Sequence, residues 1–535
     1  MTVPRVDLPE QFNVATYFVD RNLAEGRGGK TALLYEGKAT TYQEVADAVN
    51  RFGSALRSLK VEMEDRVALL LLDSPEFVAA FFGAIKIGAV PIPMNTMLRP
   101  VDYEYMLQDS RAKVLVVHEA LWEPLRPMRD RFRHVRHIVV VGKAAGPLVS
   151  YAELVQAQPP TCEAADTSRD DVAFWLYSSG STGFPKGAVH LHHDMVYCAE
   201  LYARPILGIR AQDITFSAAK LFFAYGLGNN LYFPFNVGAP AVLYPGRPLP
   251  DKMFEVLATY RPTIFYGVPT LYAAMLQLAD SEAKSAKDQG PGRLDQALKS
   301  VRVCVSAGES LPAPIFHRWK DRFGLEILDG IGSTELLHIF ISNRIGEVRP
   351  GSSGKIVPGY KARIVDEEGR TLPQGEVGNL LIKGDSAAAF YWNKHQKTKE
   401  TMLGEWVKTG DKYYQDPEEY FWYCGRTDDM LKVGGIWVSP VEVENALIGH
   451  PAVLECAVVG EQDTDELVKP KAYVVLKQGH QPSAELAEEL KAYVKEAIAP
   501  TSIPAGSSSS PSCPRPPRGR FNGFGCAAED VKREA

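Results

Sequence analysis

The chain lacks an excess of positive charge, because 59 Lys and Arg residues face 65 Asp and Glu residues and give a formal net charge of −6. A nucleic-acid binder that neutralises phosphates carries a basic excess, so that function class is excluded. Long apolar runs are also missing, since the stretch from Val67 to Leu72 is far shorter than the roughly 20 residues of a membrane span. The segment from Met1 to Glu10 lacks the basic and then apolar pattern of a signal peptide. We therefore expect a soluble, cytoplasmic protein.

Paired cysteines are absent as well. The seven cysteines are scattered without a C-x-x-C pair, which argues against a disulfide framework and a zinc site. His190, His192 and His193 resemble a metal cluster, but no carboxylate or thiol stands at zinc spacing, so we expect no metal there. What remains is an ordinary globular composition, 45% hydrophobic and 23% charged, over 535 residues. This length predicts at least two domains.

Helical and strand-like patterns alternate in the first part of the chain. Apolar residues between Thr41 and Leu59 form a helical stripe, and Thr41 with Glu44 matches a capping box. A second helix is predicted over Pro75 to Ile87. Short β-branched or apolar runs predict strands at Val67 to Leu72, Ala89 to Ile92, Val114 to Val117 and Ile138 to Val141. This alternation predicts an α/β fold with mostly parallel sheets.

The pattern of predicted helices and strands changes after Gly425. Short strands at Glu455 to Val459 and Lys471 to Leu476 flank a predicted helix over Pro440 to Ile448, and an amphipathic helix follows over Ser483 to Ala499. We predict an N-terminal domain over residues 1–425 and a small α+β domain over 426–500. A tail over 501–535 is expected to be disordered, and the polar segment 281–292 is expected to be an exposed loop.

The strongest motif is the loop YSSGSTGFPKG at 177–187, which follows the apolar run from Val172 to Leu176. Backbone amides beside the glycines, together with the hydroxyls of Ser181 and Thr182, can wrap an anion closely, and Lys186 adds positive charge. The spacing matches neither the Walker motif nor the dinucleotide-binding G-x-G-x-x-G. The loop is therefore predicted to bind phosphate, with a plain surface turn as the alternative.

This loop resembles the signature loop of the superfamily of acyl- and aryl-CoA synthetases, luciferases and peptide-synthetase adenylation domains. Further superfamily motifs follow in order, namely GIGSTE at 330–335, TGD at 409–411 and GRTDDMLKVGG at 425–435. The resemblance covers about residues 10–500. It implies a large N-terminal domain of mixed and parallel sheets with flanking helices, plus a small mobile α+β C-terminal domain that swings about a hinge at Asp428.

The resemblance also implies a two-step reaction with ATP, Mg²⁺ and coenzyme A. A carboxylate first joins the α-phosphate of ATP and releases pyrophosphate, and coenzyme A then displaces AMP; bringing two anions together requires positive charge and metal. Catalytic roles are implied for Lys186, Thr334, Glu335 and Asp428, with Glu335 also holding Mg²⁺. The residues implied to bind ATP or coenzyme A are Ser178, Ser179, Gly180, Ser181, Thr182, Gly183, Gly308, Glu309, Asp411, Arg426, Lys432, Gly434 and Gly435.

The acid-binding pocket is suggested by aromatic residues that stand beside glycines, which predicts a flat, short slot. The amino-acid sequences at 219–228 and 332–338 closely resemble those of benzoate-CoA ligases, so the resemblance implies benzoate as the substrate. The implied substrate residues are Ala224, Tyr225, Gly226, Tyr266, Gly267, Gly332 and His338. His338, placed one helical turn past Thr334, is either near the substrate carboxylate or a hydrogen-bonded helix residue. Phe216 is interpreted as plain core.

Three readings of function stay open. The first is a benzoate-CoA ligase acting on a small aromatic acid without nucleic-acid or membrane partners, as a monomer or a homodimer. The second is a ligase for hydroxy- or aminobenzoate, which needs a polar partner in the pocket. The third is a homologue impaired in catalysis that only binds nucleotide or aryl acid.

The end of the chain departs from the superfamily pattern. Members end with a segment like Pro-Lys-Thr-x-x-Gly-Lys, whose last lysine neutralises charge during adenylation, whereas residues 501–526 contain six serines, five prolines and four glycines instead. Read one nucleotide earlier with permitted codons, the same stretch encodes KYPRWIVFV and then AELPKTATGKIQRFRL. Our hypothesis is a frameshift in the gene or in its sequencing.

Sequencing the DNA across the codons for residues 499–528 tests this hypothesis. A clean read in the printed frame means that the chain lacks the lysine. In that case we expect severely impaired formation of the aryl-adenylate, because charge on the two anions stays unneutralised, while thioester formation from supplied aryl-AMP persists. Full ATP-dependent turnover by the printed chain would refute the expectation.

Overall fold

The fold was analysed in a computed structural model, which describes residues 4–144, 146–178, 184–285, 293–427, 431–433, 436–438, 440–462, 468–477 and 479–498. The largest sheet in these ranges has nine strands and carries three of the seven predicted substrate residues, Tyr266, Gly267 and Gly332. Its central strands run parallel, and antiparallel strands close both edges. In spatial order the strands are Lys355–Ile356, Ile339–Ser342, Ile327–Gly332, Val303–Ser306, Ile264–Gly267, Thr215–Ser217, Ala241–Leu243, Thr31–Tyr35 and Lys38–Thr41.

A second sheet is wholly parallel in its described strands and forms the early part of the chain. Its order is Val90–Pro93, Arg66–Leu70, Val114–His118, His137–Val141 and Val149–Ser150. The interior strands are buried and rich in Val and Leu, as expected for strands covered on both faces. The strands predicted in this region are confirmed to within two residues at each end.

Two antiparallel sheets complete the large unit. The smaller one consists of Phe390–Tyr391, Lys186–Leu191 and Val172–Ser178. The other contains Lys361–Val365, Gly378–Lys383, Trp406–Gln415, Met402–Leu403 and Phe421–Arg426. The first of these sheets contains the two strands that flank the phosphate loop, and the second contains the TGD motif.

The longer helices lie against these sheets. They are Tyr42–Ser58, Pro75–Lys86, Pro100–Ser110, Pro250–Tyr260, Pro269–Ser285 and Ala313–Phe323. Shorter α-helices are Arg21–Ala24, Glu119–Trp122, Tyr151–Gln156, Asp194–Cys198, Ala224–Leu227, Phe233–Val237, Arg293–Ala297 and His395–Thr401, with π-helical turns at Thr16–Asp20, Ala199–Ala203 and Gly228–Tyr232 and 3₁₀ turns at Arg126–Arg131 and Thr334–Leu336. The capping box of Thr41 and Glu44 is present as predicted.

One prediction about this region is wrong in part. Residues 281–285, expected to belong to an exposed loop, form the last turns of the helix Pro269–Ser285. Its apolar residues, including Leu276 and Ala279, pack on the core around Trp319, which extends the helix through this segment. The remainder of the expected loop, 286–292, lies outside the described residues.

The residues after Gly425 form a small α+β unit. Its hairpin pairs Val453–Gln462 with Val468–Leu476, and the helices Pro440–Ile448 and Ala484–Ile498 cover one face of it. A short hairpin joins Leu431–Val433 to Ile436–Val438. The domain limits at 425 and 500 stay predictions, and the tail 501–535 lies outside the described residues. Within the described ranges, no helix is long and apolar enough to cross a membrane.

The helices Tyr42–Ser58 and Pro75–Lys86 cross at two glycines. A Cβ atom on Gly83 would lie 2.8 Å from the carbonyl oxygen of Val49 and 3.1 Å from the backbone nitrogen of Gly53. Backbone atoms cannot rotate away as a flexible side chain can. The crossing therefore depends on the missing side chain.

Gly83→Val should separate these helices and lower the free energy of unfolding by about 2 kcal/mol, the usual range for overpacking a tight core. Urea unfolding followed by circular dichroism measures the change. Gly29→Val is the matched control, because a Cβ on this exposed glycine meets no atom within 4 Å. Equal urea midpoints for the two variants would contradict the prediction.

Candidate active site

Ser178 and Lys186 face each other at the base of the predicted phosphate loop. They are paired residues of the antiparallel strands Val172–Ser178 and Lys186–Leu191. The loop residues between them that the sequence analysis named, namely Ser179, Gly180, Ser181, Thr182 and Gly183, lie outside the described residues. The structure thus shows the two strands that present the loop, and the roles of the loop residues stay predictions.

The Glu335 carboxylate lies next to this strand pair. Its Oε1 accepts a hydrogen bond of 2.6 Å from the hydroxyl of Tyr391 and a longer one of 3.4 Å from Ser178. The ammonium group of Lys186 lies 4.8 Å from the centre of the Tyr391 ring. Burial lowers the pKa of Lys186, and the neighbouring Glu335 opposes that shift. Hydroxyl, carboxylate and ammonium groups therefore meet where the loop begins.

The backbone around Glu335 is held by several segments. The residues Thr334–Leu336 form a 3₁₀ turn, and the side chain of Ser333 accepts a 3.2 Å hydrogen bond from the amide of Leu336. The carbonyl of Glu335 accepts a hydrogen bond of 2.7 Å from the amide of Ala388. The next carbonyl, that of Leu336, accepts one of 2.8 Å from the Ser386 hydroxyl. This turn is therefore fixed in place before any ligand binds.

The Glu335 site suits a magnesium ion that arrives with ATP. Mg²⁺ prefers oxygen ligands and commonly uses one or two protein carboxylates together with substrate phosphates. Glu335, with hydroxyls of Ser178 and Tyr391 beside it, supplies oxygens of this kind. In the part of the chain that the structure describes, no group of three or more His, Cys, Asp or Glu side chains could hold a metal by itself. The oxygen donors at Glu335 fit a metal that shares its ligands with the phosphates of ATP.

Asp411 and Arg426 form the second predicted cluster. They are paired residues of adjacent antiparallel strands, and Nη1 of Arg426 lies 3.0 Å from Oδ1 of Asp411. Burial raises the pKa of Asp411, although the guanidinium of Arg426 opposes the shift. Between them and the nine-stranded sheet lies a cleft of about 970 Å³, lined also by Gly308, Glu309 and Gly332. Four of the residues predicted to bind nucleotide, namely Gly308, Glu309, Asp411 and Arg426, thus line one cleft.

The predicted acid pocket is built around Tyr225 and His338. The Tyr225 hydroxyl donates towards the carbonyls of Gly267, at 3.3 Å, and Val305, at 3.2 Å, and its ring meets that of Tyr266 edge to face at 6.2 Å. The ring of His338 lies 5.6 Å from that of Tyr225. Tyr225 therefore contacts three of the other six predicted substrate residues, and Ala224 packs on the same core.

His338 is a neutral, buried ring. Its Nε2 lies 3.1 Å from Oδ1 of Asn229 and 3.3 Å from the carbonyl of Tyr225, which are both acceptors, so Nε2 carries the proton. Burial lowers the pKa of His338 to about 3. The interpretation of His338 as a helix residue is wrong, because the turn ends at Leu336 and His338 precedes the strand Ile339–Ser342. Leu337, with φ of 65°, makes the reversal between them.

Two predicted pocket glycines are required by close backbone contacts. A Cβ on Gly332 would lie 2.6 Å from the carbonyl oxygen of His338, and one on Gly226 would collide with the carbonyls of Ala219 and Lys220. The reason for glycine at these positions is thus the packing of the pocket walls. Sequence reasoning had assigned both residues to the slot for the acid itself.

Several of the predicted residues belong to the C-terminal unit. Asp428, Gly434 and Gly435 lie outside the described residues, and the side chain of Lys432 is also not described. Conversely, sequence reasoning missed Tyr391, Ser386 and Asn229. Asn229 directly follows the stretch 219–228 that resembles benzoate-CoA ligases, but Tyr391 and Ser386 lie in a segment without a recognisable pattern, so no signal marked them.

A family model described as AMP-binding enzyme matches residues 20–392, and one described as AMP-binding enzyme C-terminal domain matches residues 442–511. The chain belongs to the AMP-binding enzyme family. The resemblance identified in the sequence is thereby confirmed. The predicted fold class, a large unit of mixed and parallel sheets plus a small α+β unit, is the one observed in this AMP-binding enzyme.

Three similar proteins show the extent of the match. The benzoate–CoA ligase of Thauera aromatica is 52% identical over 505 residues, which cover 94% of this chain and 93% of that protein. The solved benzoate CoA ligase from Burkholderia xenovorans LB400 is 49% identical, with a TM-score of 0.82 over 91% of this chain and 94% of that one. The anthranilate CoA ligase AuaEII, solved with anthranoyl-AMP, is 45% identical, with a TM-score of 0.86 over 92% of both chains.

His338→Gln should change how the free energy of unfolding depends on pH. The folded ring stays neutral down to a pKa of about 3, whereas the unfolded ring binds a proton near its ordinary value of 6.5, so stability is lost as the pH falls through this window. This one group should remove roughly 1.4 kcal/mol of wild-type stability per pH unit below the unfolded value, a loss that the variant lacks. Urea unfolding near pH 7 and near pH 5.5 measures the difference.

The control for this measurement is His395→Gln, at an exposed position of the helix His395–Thr401. Water reaches this ring in the folded and unfolded protein alike, so the control should follow the wild-type pH dependence. If the His338 variant also follows it, the prediction fails.

Proposed function

We propose that this AMP-binding enzyme joins benzoate to coenzyme A through benzoyl-AMP, using ATP and Mg²⁺ and releasing pyrophosphate and then AMP. The observation that carries the proposal is the continuity of two sites along one strand. The strand Ile327–Gly332 ends against His338 in the aromatic pocket, and two residues later the chain enters the pinned turn of Glu335. An acid held in the pocket therefore lies beside the groups suited to hold ATP.

The lining of the pocket suits an uncharged aromatic ring. Tyr225, Tyr266 and His338 are buried or half-buried, and burial raises the pKa of both tyrosines well above the ordinary value. With His338 neutral as well, these rings present apolar faces and edges, which favour packing against another aromatic ring. The benzoate ligases of Thauera and Burkholderia, at 52% and 49% identity, support the same substrate.

The adenylation step requires that two anions approach each other. We assign the positive charge that offsets their repulsion to Lys186, whose ammonium group lies beside Tyr391 at the mouth of the phosphate loop. Thr334 and Ser178 are proposed to contact phosphate, and Asp411 and Arg426 to hold the ribose. Bound at Glu335, Mg²⁺ supplies further neutralisation of phosphate charge. Gly308 and Glu309, which line the same cleft, are proposed to pack against the adenine.

The second step is assigned to the small α+β unit. We propose that it swings about Asp428 and brings Lys432, Gly434 and Gly435 to the channel for the pantetheine arm of coenzyme A, as the superfamily resemblance implies. The cytoplasm is the compartment that we propose, because the scattered, unpaired cysteines suit a reducing environment. A monomer and a homodimer both remain open.

A hydroxy- or aminobenzoate ligase is the second candidate, and one observation favours it. The hydroxyl of Tyr266 and Nδ1 of His338 are buried and find no hydrogen-bond partner among the residues that the structure describes. Nδ1 is a bare acceptor, since Nε2 carries the proton, so a hydroxyl or amino group on the substrate ring could donate to it. The anthranilate ligase that resembles this chain is consistent with such a substrate.

A thioester assay with the full chain separates these candidates. Benzoate, 4-hydroxybenzoate, 2-aminobenzoate and octanoate are each supplied with ATP, Mg²⁺ and coenzyme A. We expect benzoate to give the highest kcat/KM, octanoate to give no thioester, and the substituted acids to lose about tenfold or more when a polar group meets an apolar wall. Preference for a hydroxy- or aminobenzoate would favour the second candidate.

The same assay with supplied benzoyl-AMP covers the possibility of an impaired chain. Benzoyl-CoA formed from benzoyl-AMP but not from ATP and benzoate places the defect in adenylation. Absence of both reactions, together with binding of ATP, would contradict the proposal and support a homologue that only binds nucleotide.

A further inference from the structure

The ring of His190 lies wholly buried behind the Glu335 turn, between two oxygen atoms. Its Nδ1 is 2.7 Å from Oδ2 of Asp194, and its Nε2 is 2.8 Å from the carbonyl oxygen of Thr334. The ring also stacks on Phe174 at 5.2 Å, which fixes its plane. His190 therefore contacts the Thr334 carbonyl from outside the turn, as Ala388 and Ser386 contact the carbonyls of Glu335 and Leu336.

Nε2 of His190 faces a hydrogen-bond acceptor. A carbonyl oxygen has no proton to give, so Nε2 of His190 must carry one. Asp194 lies against the other ring nitrogen; it also accepts from the amide of Leu191 at 3.2 Å and lies 2.9 Å from Nδ1 of His193. Burial alone would raise the pKa of Asp194, but the hydrogen bonds from His190 and His193 outweigh burial and lower it. Asp194 therefore holds the ring with Nε2 towards the Thr334 carbonyl.

We propose that His190, oriented by Asp194, is a positioning residue that fixes the Thr334–Glu335 backbone for binding of Mg²⁺ with ATP. The proposal rests on the proposed function in one respect, namely that Glu335 holds the metal. His190 contacts neither substrate nor reacting atoms. It acts through the Thr334 carbonyl, one residue before the Glu335 side chain.

The arrangement has a physical reason. A 3₁₀ turn of three residues has few internal hydrogen bonds, so its carbonyls need partners from elsewhere. The carbonyl of Glu335 accepts a hydrogen bond from the amide of Ala388, and that of Leu336 accepts one from the hydroxyl of Ser386. The Thr334 carbonyl accepts a hydrogen bond of 3.2 Å from the amide of Leu337 at the end of the turn, and from outside the turn it is held through His190. Loss of the His190 bond would leave this buried carbonyl with the bond inside the turn and would loosen the start of the turn.

The test measures ATP affinity by calorimetry without any aryl acid, once in Mg²⁺ and once in EDTA. The dissociation constant in EDTA divided by that in Mg²⁺ is the ratio that reports how well Glu335 is placed for the metal. In His190→Gln we expect this ratio to fall roughly tenfold, the value of one hydrogen bond to a buried acceptor, while the affinity in EDTA changes by less than about twofold. A folded His190→Gln protein with the wild-type ratio would overturn the proposal.

The matched control is His192→Gln, two residues away. This ring is equally buried, but it accepts from the amide of Val14 at 3.0 Å and does not touch the turn. We expect it to lower the melting temperature and to keep the wild-type ratio. An equal fall of the ratio in both variants would mean that general loosening of the core explains it, and the proposal fails.

A second variant, Asp194→Asn, keeps the test decisive if His190→Gln does not fold. Nε2 can still donate to Thr334 while the new amide hydrogen-bonds Nδ1, so we expect a fall in the ratio of no more than about threefold. Nitrogen-15 histidine spectra should show a proton on Nε2 of His190 in the wild type and in the variant. A wild-type Nε2 without a proton could not donate to the Thr334 carbonyl and would overturn the proposal.

Failure of this proposal is distinguishable from failure of the proposed function. Turnover of benzoate with an unchanged ratio in His190→Gln rejects only the role of His190. A ratio that falls as expected in a protein that makes no benzoyl-CoA rejects only the substrate.

Discussion

The anchoring of one short turn is the constraint on which the site depends. Glu335 stands on three residues of 3₁₀ helix whose carbonyls are bound by side chains and amides from separate parts of the chain. A carboxylate that shares a metal with a mobile nucleotide binds most tightly when its backbone is fixed beforehand. Binding then loses no conformational entropy of the backbone. The sheet positions these hydrogen-bond donors, because Tyr391 and His190 lie on adjacent antiparallel strands.

The two halves of the site have opposite electrostatic character, and the nine-stranded sheet joins them. At the nucleotide cleft, Asp411, Arg426, Lys186 and Glu335 place charges where phosphate and ribose are expected. At the acid pocket, burial keeps His338 and the tyrosines neutral. The change occurs within a few residues after the strand Ile327–Gly332. This short distance suits a reaction that joins a carboxylate on an apolar ring to a phosphate.

Sequence patterns predicted the regular elements well and the contacts among them poorly. The helix that begins after Thr41 and the parallel strands up to Val141 were predictable because periodicity and capping are local properties. His338 was misplaced on a helix, since the reversal at Leu337 depends on contacts with Gly332 rather than on neighbouring residues. The segment 281–285 was taken for loop because its residues are polar, although a distant core around Trp319 stabilises the helix that contains them.

The sequence by itself determined the family, the order of the motifs and most residues of the candidate site, because motif chemistry is written in consecutive residues. It also showed the departure from the superfamily pattern after residue 500, because that departure is a difference in amino-acid sequence. Only the tertiary structure decided which groups support those motifs. Tyr391 and His190 lie 56 and 144 residues from the turn that they hold, and a hydrogen bond across such separations leaves no periodic trace in a single sequence.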